Sequence, residues 1–111
     1  MEEQRAHARK MMREQAFMAD ASATSWAPIV LLDISLRGVS FATAEALVAG
    51  LVRELQFTVP GSPVRHRAQI NVVRHSTAGV PSGFKIGAMF VKIDPETTQH
   101  IADFVSKSAQ D

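Results

Sequence analysis

Over Val64 to Arg74 and again over Phe84 to Ile93 the chain carries an alternating pattern, and at Asp94-Pro95 the apolar spacing changes from two to about 3.6. Val64, His66, Ala68, Ile70 and Val72 share one parity, with Arg65, Arg67, Gln69 and Asn71 on the other. Phe84, Ile86, Ala88 and Phe90 repeat the pattern opposite Lys85 and Gly87. Asp94 suits a helix N-cap and Pro95 the first helical position. Thr97, Ile101, Phe104 and Val105 then share one helical side, while Gln99, Asp103 and Lys107 face away. A run of strands closed by one capped amphipathic helix leaves few architectures.

Upstream, the apolar run Ile29 to Leu32 has strand length and composition. Val39-Ser40-Phe41 reads as the next strand. Leu51 to Val59 alternates with one phase defect after Val52, which predicts a bulge or a later strand start. Gln15 to Ala19, centred on Phe17, is a first short strand, and Trp26 and Pro28 mark the start of the second. Asp20 to Ser25 and Pro60-Gly61-Ser62-Pro63 are connections, as is His75 to Gly83. Thr43 to Val48 reads either as one helical turn or as a connection with Leu47 tucked inward. The expected fold is all-β: a six-stranded antiparallel β-barrel sealed by a C-terminal α-helix.

At 111 residues this is one domain with a modest core. A net charge of +1 argues against a general DNA or RNA binder. With no cysteine, disulfides, thiolate chemistry and thiolate metal sites are excluded. His7, His66, His75 and His100 lack metal-ligand spacing, and no GxGxxG or Walker A loop is present. No apolar stretch approaches a membrane span, and the N-terminus has no signal-peptide core, so a cytoplasmic protein is expected.

Two elements carry candidate chemistry. Asp33-Ile34-Ser35-Leu36-Arg37-Gly38 follows the apolar strand and puts Asp33 and Ser35 on one face, with Ile34 on the other. Gly38 permits a tight turn, with a positive φ as the expected reason. Taken alone, this is a turn whose Asp and Ser satisfy its own backbone. The second element is basic. Arg5 and Arg9, and again Arg9 and Arg13, are four residues apart within a polar arm spanning residues 1–13 that is expected to be flexible. Either a helix or a loop wrapped on a ligand would bring such guanidinium groups together. They can then bind phosphate bidentately or stack on a purine. An ordinary solvated basic tail shares that composition.

Together these elements resemble the PilZ domain family, which joins an N-terminal RxxxR to D/NxSxxG on a β-barrel, often with a following helix. Leu47-Val48-Ala49-Gly50, the stretch from Phe57 to Gly61, and Gly87-Ala88-Met89-Phe90-Val91 are also similar to the family pattern. The resemblance covers roughly residues 9–106, and the barrel with its helix is expected over 14–107. It implies a non-enzymatic receptor for cyclic di-GMP, a regulatory ligand and not a cofactor. The preferred pairing is Arg9 with Arg13, clasping phosphate and guanine; Asp33 and Ser35 would meet polar edges, and Gly38 would allow close approach. Arg5, Lys10 and Arg37 are alternative or peripheral contacts. Ligand binding would order the arm and change a surface offered to an effector protein. Members that bind no nucleotide act as protein adaptors, which is the alternative reading.

Overall fold

The computed structural model describes residues 9–77 and 83–108. Within them run six strands, β1 (Arg9–Ala19), β2 (Trp26–Ser35), β3 (Gly38–Thr43), β4 (Val52–Thr58), β5 (Arg65–Ser76) and β6 (Phe84–Ile93). One helix follows, α1 (Pro95–Ser108). All strand pairs are antiparallel, and the sheet closes in the order β1-β2-β3-β6-β5-β4. Closure is made where Phe17 and Met18 of β1 pair with Gln56 and Leu55 of β4. The seam is short, since the other paired residues of β1 are bonded to β2 alone. This is the all-β barrel with a terminal helix that the alternating pattern and the capped helix predict.

The inward parity of each strand fills the barrel. Ile29 and Leu31 of β2, Val39 and Phe41 of β3, Leu55 and Phe57 of β4, Ile70 and Val72 of β5, and Ile86 of β6 are all buried. Helix α1 adds Ile101 and Val105 to that core, with Phe104 packed beside it. Burying each such aliphatic side chain is worth about 1.5–3 kcal/mol, which holds the helix on the barrel. Its start is capped as expected: the Thr97 N–H donates to Asp94 Oδ1 at 2.9 Å. That bond holds the Asp94 carboxyl below its ordinary pKa. Thr97 is buried and its hydroxyl lies 3.0 Å from His66 Nδ1, tying the first helical turn to β5.

Several expectations are corrected. Strand β1 begins at Arg9, not near residue 15, so Arg9 to Arg13 belong to the barrel and not to an arm. The rest of the expected arm, including Arg5, lies outside the described residues. Polar side chains on the outer face of a barrel strand give no apolar alternation, which hides such a strand from a hydrophobic pattern. Strand β5 runs to Ser76 and so includes His75, read above as loop. Strand β4 pairs with β5 without interruption from Val52 to Thr58, so there is no bulge after Val52. Val52 is simply an exposed valine, on the parity opposite to buried Leu55 and Phe57. Between β3 and β4 the chain is a connection with Leu47 buried. Of the two readings left open for Thr43 to Val48, this is the second.

Candidate ligand-binding site

The DxSxxG element spans the end of β2, the β2–β3 turn and the start of β3. A β-bulge decides which way it faces. Leu31 pairs with Phe41, but the next paired residues are Asp33 and Ser40, leaving Leu32 as an extra residue in β2. Leu31 and Ile34 therefore both enter the core, although they differ in parity. Asp33 has the parity of Leu31 and would follow it inward in a regular strand. The bulge turns it outward instead, beside Ser40 of β3.

Asp33 is 7% exposed and Ser35 1%, so both need partners. The Ser40 hydroxyl donates to Asp33 Oδ2 at 2.6 Å, and the Arg9 guanidinium is paired with Asp33 Oδ1. Ser35 serves the turn. Its Oγ lies 3.2 Å from the Arg37 N–H and 3.3 Å from the Gly38 N–H, both of which donate to it. The bland reading of a side chain satisfying turn backbone thus fits Ser35 and fails for Asp33.

Gly38 is needed for a different reason from the one expected. Its φ is not among the positive values, which among described glycines belong to Gly50, Gly61 and Gly83. Instead, Gly38 packs against β6 so closely that a Cβ would stand 2.1 Å from the Ala88 carbonyl oxygen. Beside it, the Phe90 N–H donates to the Arg37 carbonyl at 2.8 Å, extending the β3–β6 ladder into the turn.

Outside the barrel, a cavity of about 400 Å³ opens over β3, β6 and β5. Arg9, Asp33 and Ser40 line one side; Arg74, His75 and Lys85 contribute polar groups from β5 and β6. Arg13 is not part of its lining. It is exposed on β1, four residues beyond Arg9, a separation of about 13 Å in extended chain. The structure therefore brings Arg9, but not Arg13, to Asp33. Lys10 turns toward the helix, its Nζ 3.4 Å from the Phe104 carbonyl oxygen and 4.3 Å from the Phe104 ring centre. Arg37 sits exposed at the turn. The sequence does not mark Ser40, Arg74, His75 and Lys85 as site residues, because only the closed topology carries β5 and β6 to the side of β3.

Three cations and one carboxylate around this opening make it suited to an anionic ligand with hydrogen-bond donors for Asp33. No cluster of three or more His, Asp or Glu residues with metal-binding geometry occurs among the described residues.

A PilZ domain model matches residues 3–107, and the chain belongs to that family. No curated protein matches the sequence. Solved structures share the fold at low identity. MotI/DgrA, the inhibitor of motility of Bacillus subtilis, superposes with a TM-score of 0.82 at 12% identity, covering 94% of this chain and 50% of that one. The PilZ domain of Escherichia coli YcgR, solved with c-di-GMP, gives 0.70 at 14% identity over 97% of this chain and 93% of that one. The K. pneumonia MrkH–c-di-GMP complex gives 0.70 at 12% identity, covering 94% and 52%. This chain thus spans about half the length of MotI/DgrA and MrkH.

Proposed function

We propose that this PilZ domain is a non-catalytic receptor for cyclic di-GMP that couples occupancy of its outer cavity to a partner protein. The observation that carries the reading is the meeting of Arg9 with Asp33 at the edge of a cationic cavity. The ligand offers two phosphates to the cations, and each guanine offers a Watson–Crick edge with adjacent N–H donors to a carboxylate. The two similar structures solved with c-di-GMP support the same ligand class.

The Arg9–Asp33 pair sets the order of events. Arg9 is half exposed, so its ion pair is worth about 0–1 kcal/mol. Charge-assisted hydrogen bonds to a ligand are worth roughly 1.5–3 kcal/mol each. Guanine can therefore displace Arg9 from Asp33, and the released guanidinium turns to phosphate. Ser40 stays on Asp33 Oδ2 and keeps the carboxylate oriented throughout. Ser35 and Gly38 act by holding the turn, not by touching the ligand.

For the arginine clasp, Arg13 lies outside the cavity lining, and the pairing proposed is the alternative one, Arg5 with Arg9. Displacing Arg9 also gives a route to the partner, since Arg9 belongs to β1 and its movement would be felt along that strand. No described helix is long and apolar enough to cross a membrane.

Calorimetric titration of cyclic di-GMP into the purified chain tests the reading. Saturable binding with a Kd below about 100 μM, with unchanged ligand afterwards, is expected. No heat at several hundred micromolar ligand would leave the adaptor reading in its place.

A further inference from the structure

A second bulge acts on the opposite side of the same cavity. In β5, Val72 pairs with Ala88 and Arg74 with Gly87, leaving Val73 as the extra residue. His66, Ala68, Ile70 and Val72 all point inward on even positions. In a regular strand Arg74 would follow them into the apolar core, where an unpaired guanidinium is prohibitively costly. The bulge at Val73 reverses it onto the outer face. Two bulges on different strands thus turn two opposite charges, Asp33 and Arg74, toward one opening.

Gly87 shapes what Arg74 does there. A Cβ built on Gly87 would lie 3.4 Å from Arg74 Cγ, 3.6 Å from Nε and 3.8 Å from Cζ. Three successive parts of the side chain are thus nearly equidistant from one point of the sheet. Arg74 lies along the sheet surface and does not stand off into solvent. No ion pair or side-chain hydrogen bond occupies it among the described residues. The side chain therefore packs along the glycine while also lining the cavity.

We propose that Arg74, laid over Gly87, is a specificity-determining contact of this site, its guanidinium plane being the platform on which a purine base of the ligand stacks. This rests on the receptor reading and extends it: Asp33 reads a base edge, and Arg74 takes a base face on the far wall. A planar delocalised cation stacks well on a purine, whereas an ammonium of the same charge presents no plane.

Calorimetry with cyclic di-GMP on the parent chain and on Arg74→Ala, Arg74→Lys and Asp33→Asn separates the possibilities, with thermal melting of each variant. Because Arg74 is exposed, both of its variants should melt like the parent. Arg74→Ala should weaken binding by roughly fivefold or more, and Arg74→Lys by nearly as much. Lysine restoring parental affinity would overturn the platform, since charge alone would then suffice. Parental affinity in Arg74→Ala, with binding lost in Asp33→Asn, would overturn Arg74's role and leave the receptor reading standing. A parent chain that does not bind would overturn both.

Discussion

Asp33 divides its carboxylate between two strands, taking the Ser40 hydroxyl of β3 at 2.6 Å on one oxygen and the Arg9 guanidinium of β1 on the other. The second partner is half exposed and so is the one that can turn away to solvent. Asp33→Asn should therefore keep the fold, because an amide oxygen still accepts from Ser40. It should weaken cyclic di-GMP binding by roughly tenfold or more, since the amide N–H groups oppose the donors of a guanine edge. Titration calorimetry with a parallel melt checks both halves. Undiminished affinity would remove Asp33 from ligand recognition.

The alternative arginine pairings make different demands. With Arg9 at Asp33 and Arg13 outside the cavity lining, Arg9→Ala should cost roughly tenfold or more in affinity, and Arg13→Ala should change it little. Arg5→Ala should resemble Arg9→Ala if Arg5 completes the clasp. Affinity lost in Arg13→Ala and kept in Arg5→Ala would restore the pairing of Arg9 with Arg13.

Gly38→Ala is expected to act on stability. The added Cβ meets the backbone carbonyl of Ala88, which belongs to a paired strand and cannot rotate away. The β3–β6 ladder must shift, at a cost of about 1–3 kcal/mol. For a domain of this size that lowers Tm by roughly 4–8 °C per kcal/mol. A melt unchanged from the parent would mean that β6 yields easily at this point.

His66 gives the barrel a pH dependence. It is buried under the first turn of α1, with its ring centre 4.8 Å from that of His100, and its Nε2 has no hydrogen-bond partner. Burial lowers its pKa from 6.5, and the neighbouring His100 adds to this; Glu96 and Asp94 oppose it. The unfolded chain then binds the proton more readily than the folded one. The stabilisation is complete above about pH 6.5 and is lost as pH falls from there toward the folded value. Melts should drop between pH 7.5 and 5.5, and His66→Gln, which keeps a hydrogen-bonding group for Thr97, should flatten that slope. An equal slope in both proteins would assign the pH dependence to other groups.

The sequence shows strands well where one face is apolar and the other polar. Thus β5, β6 and the capped helix α1 lie close to where alternation and the Asp94-Pro95 signal put them. It shows β1 poorly, because none of the residues from Arg9 to Gln15 is fully buried. The bulges at Leu32 and Val73 are hidden for a different reason. A bulge is defined by what the partner strand pairs with, and a single strand's pattern does not contain the partner. Asp33 and Ser35 were visible as a motif, while the outward turn of Asp33 and Arg74 was not. The need for Gly38 is legible in the motif, but its close neighbour, the Ala88 carbonyl, is 50 residues away along the chain.

Backbone amide NMR during a cyclic di-GMP titration tests most directly whether the nucleotide occupies the outer cavity. Resonances of Asp33, Ser40, Arg74 and Gly87 should move together and saturate along one isotherm, while those of Ile101 and Val105, which do not line the cavity, shift less. Shifts confined to the helix, or no shifts at several hundred micromolar ligand, would contradict a receptor site between Arg9, Asp33 and Arg74.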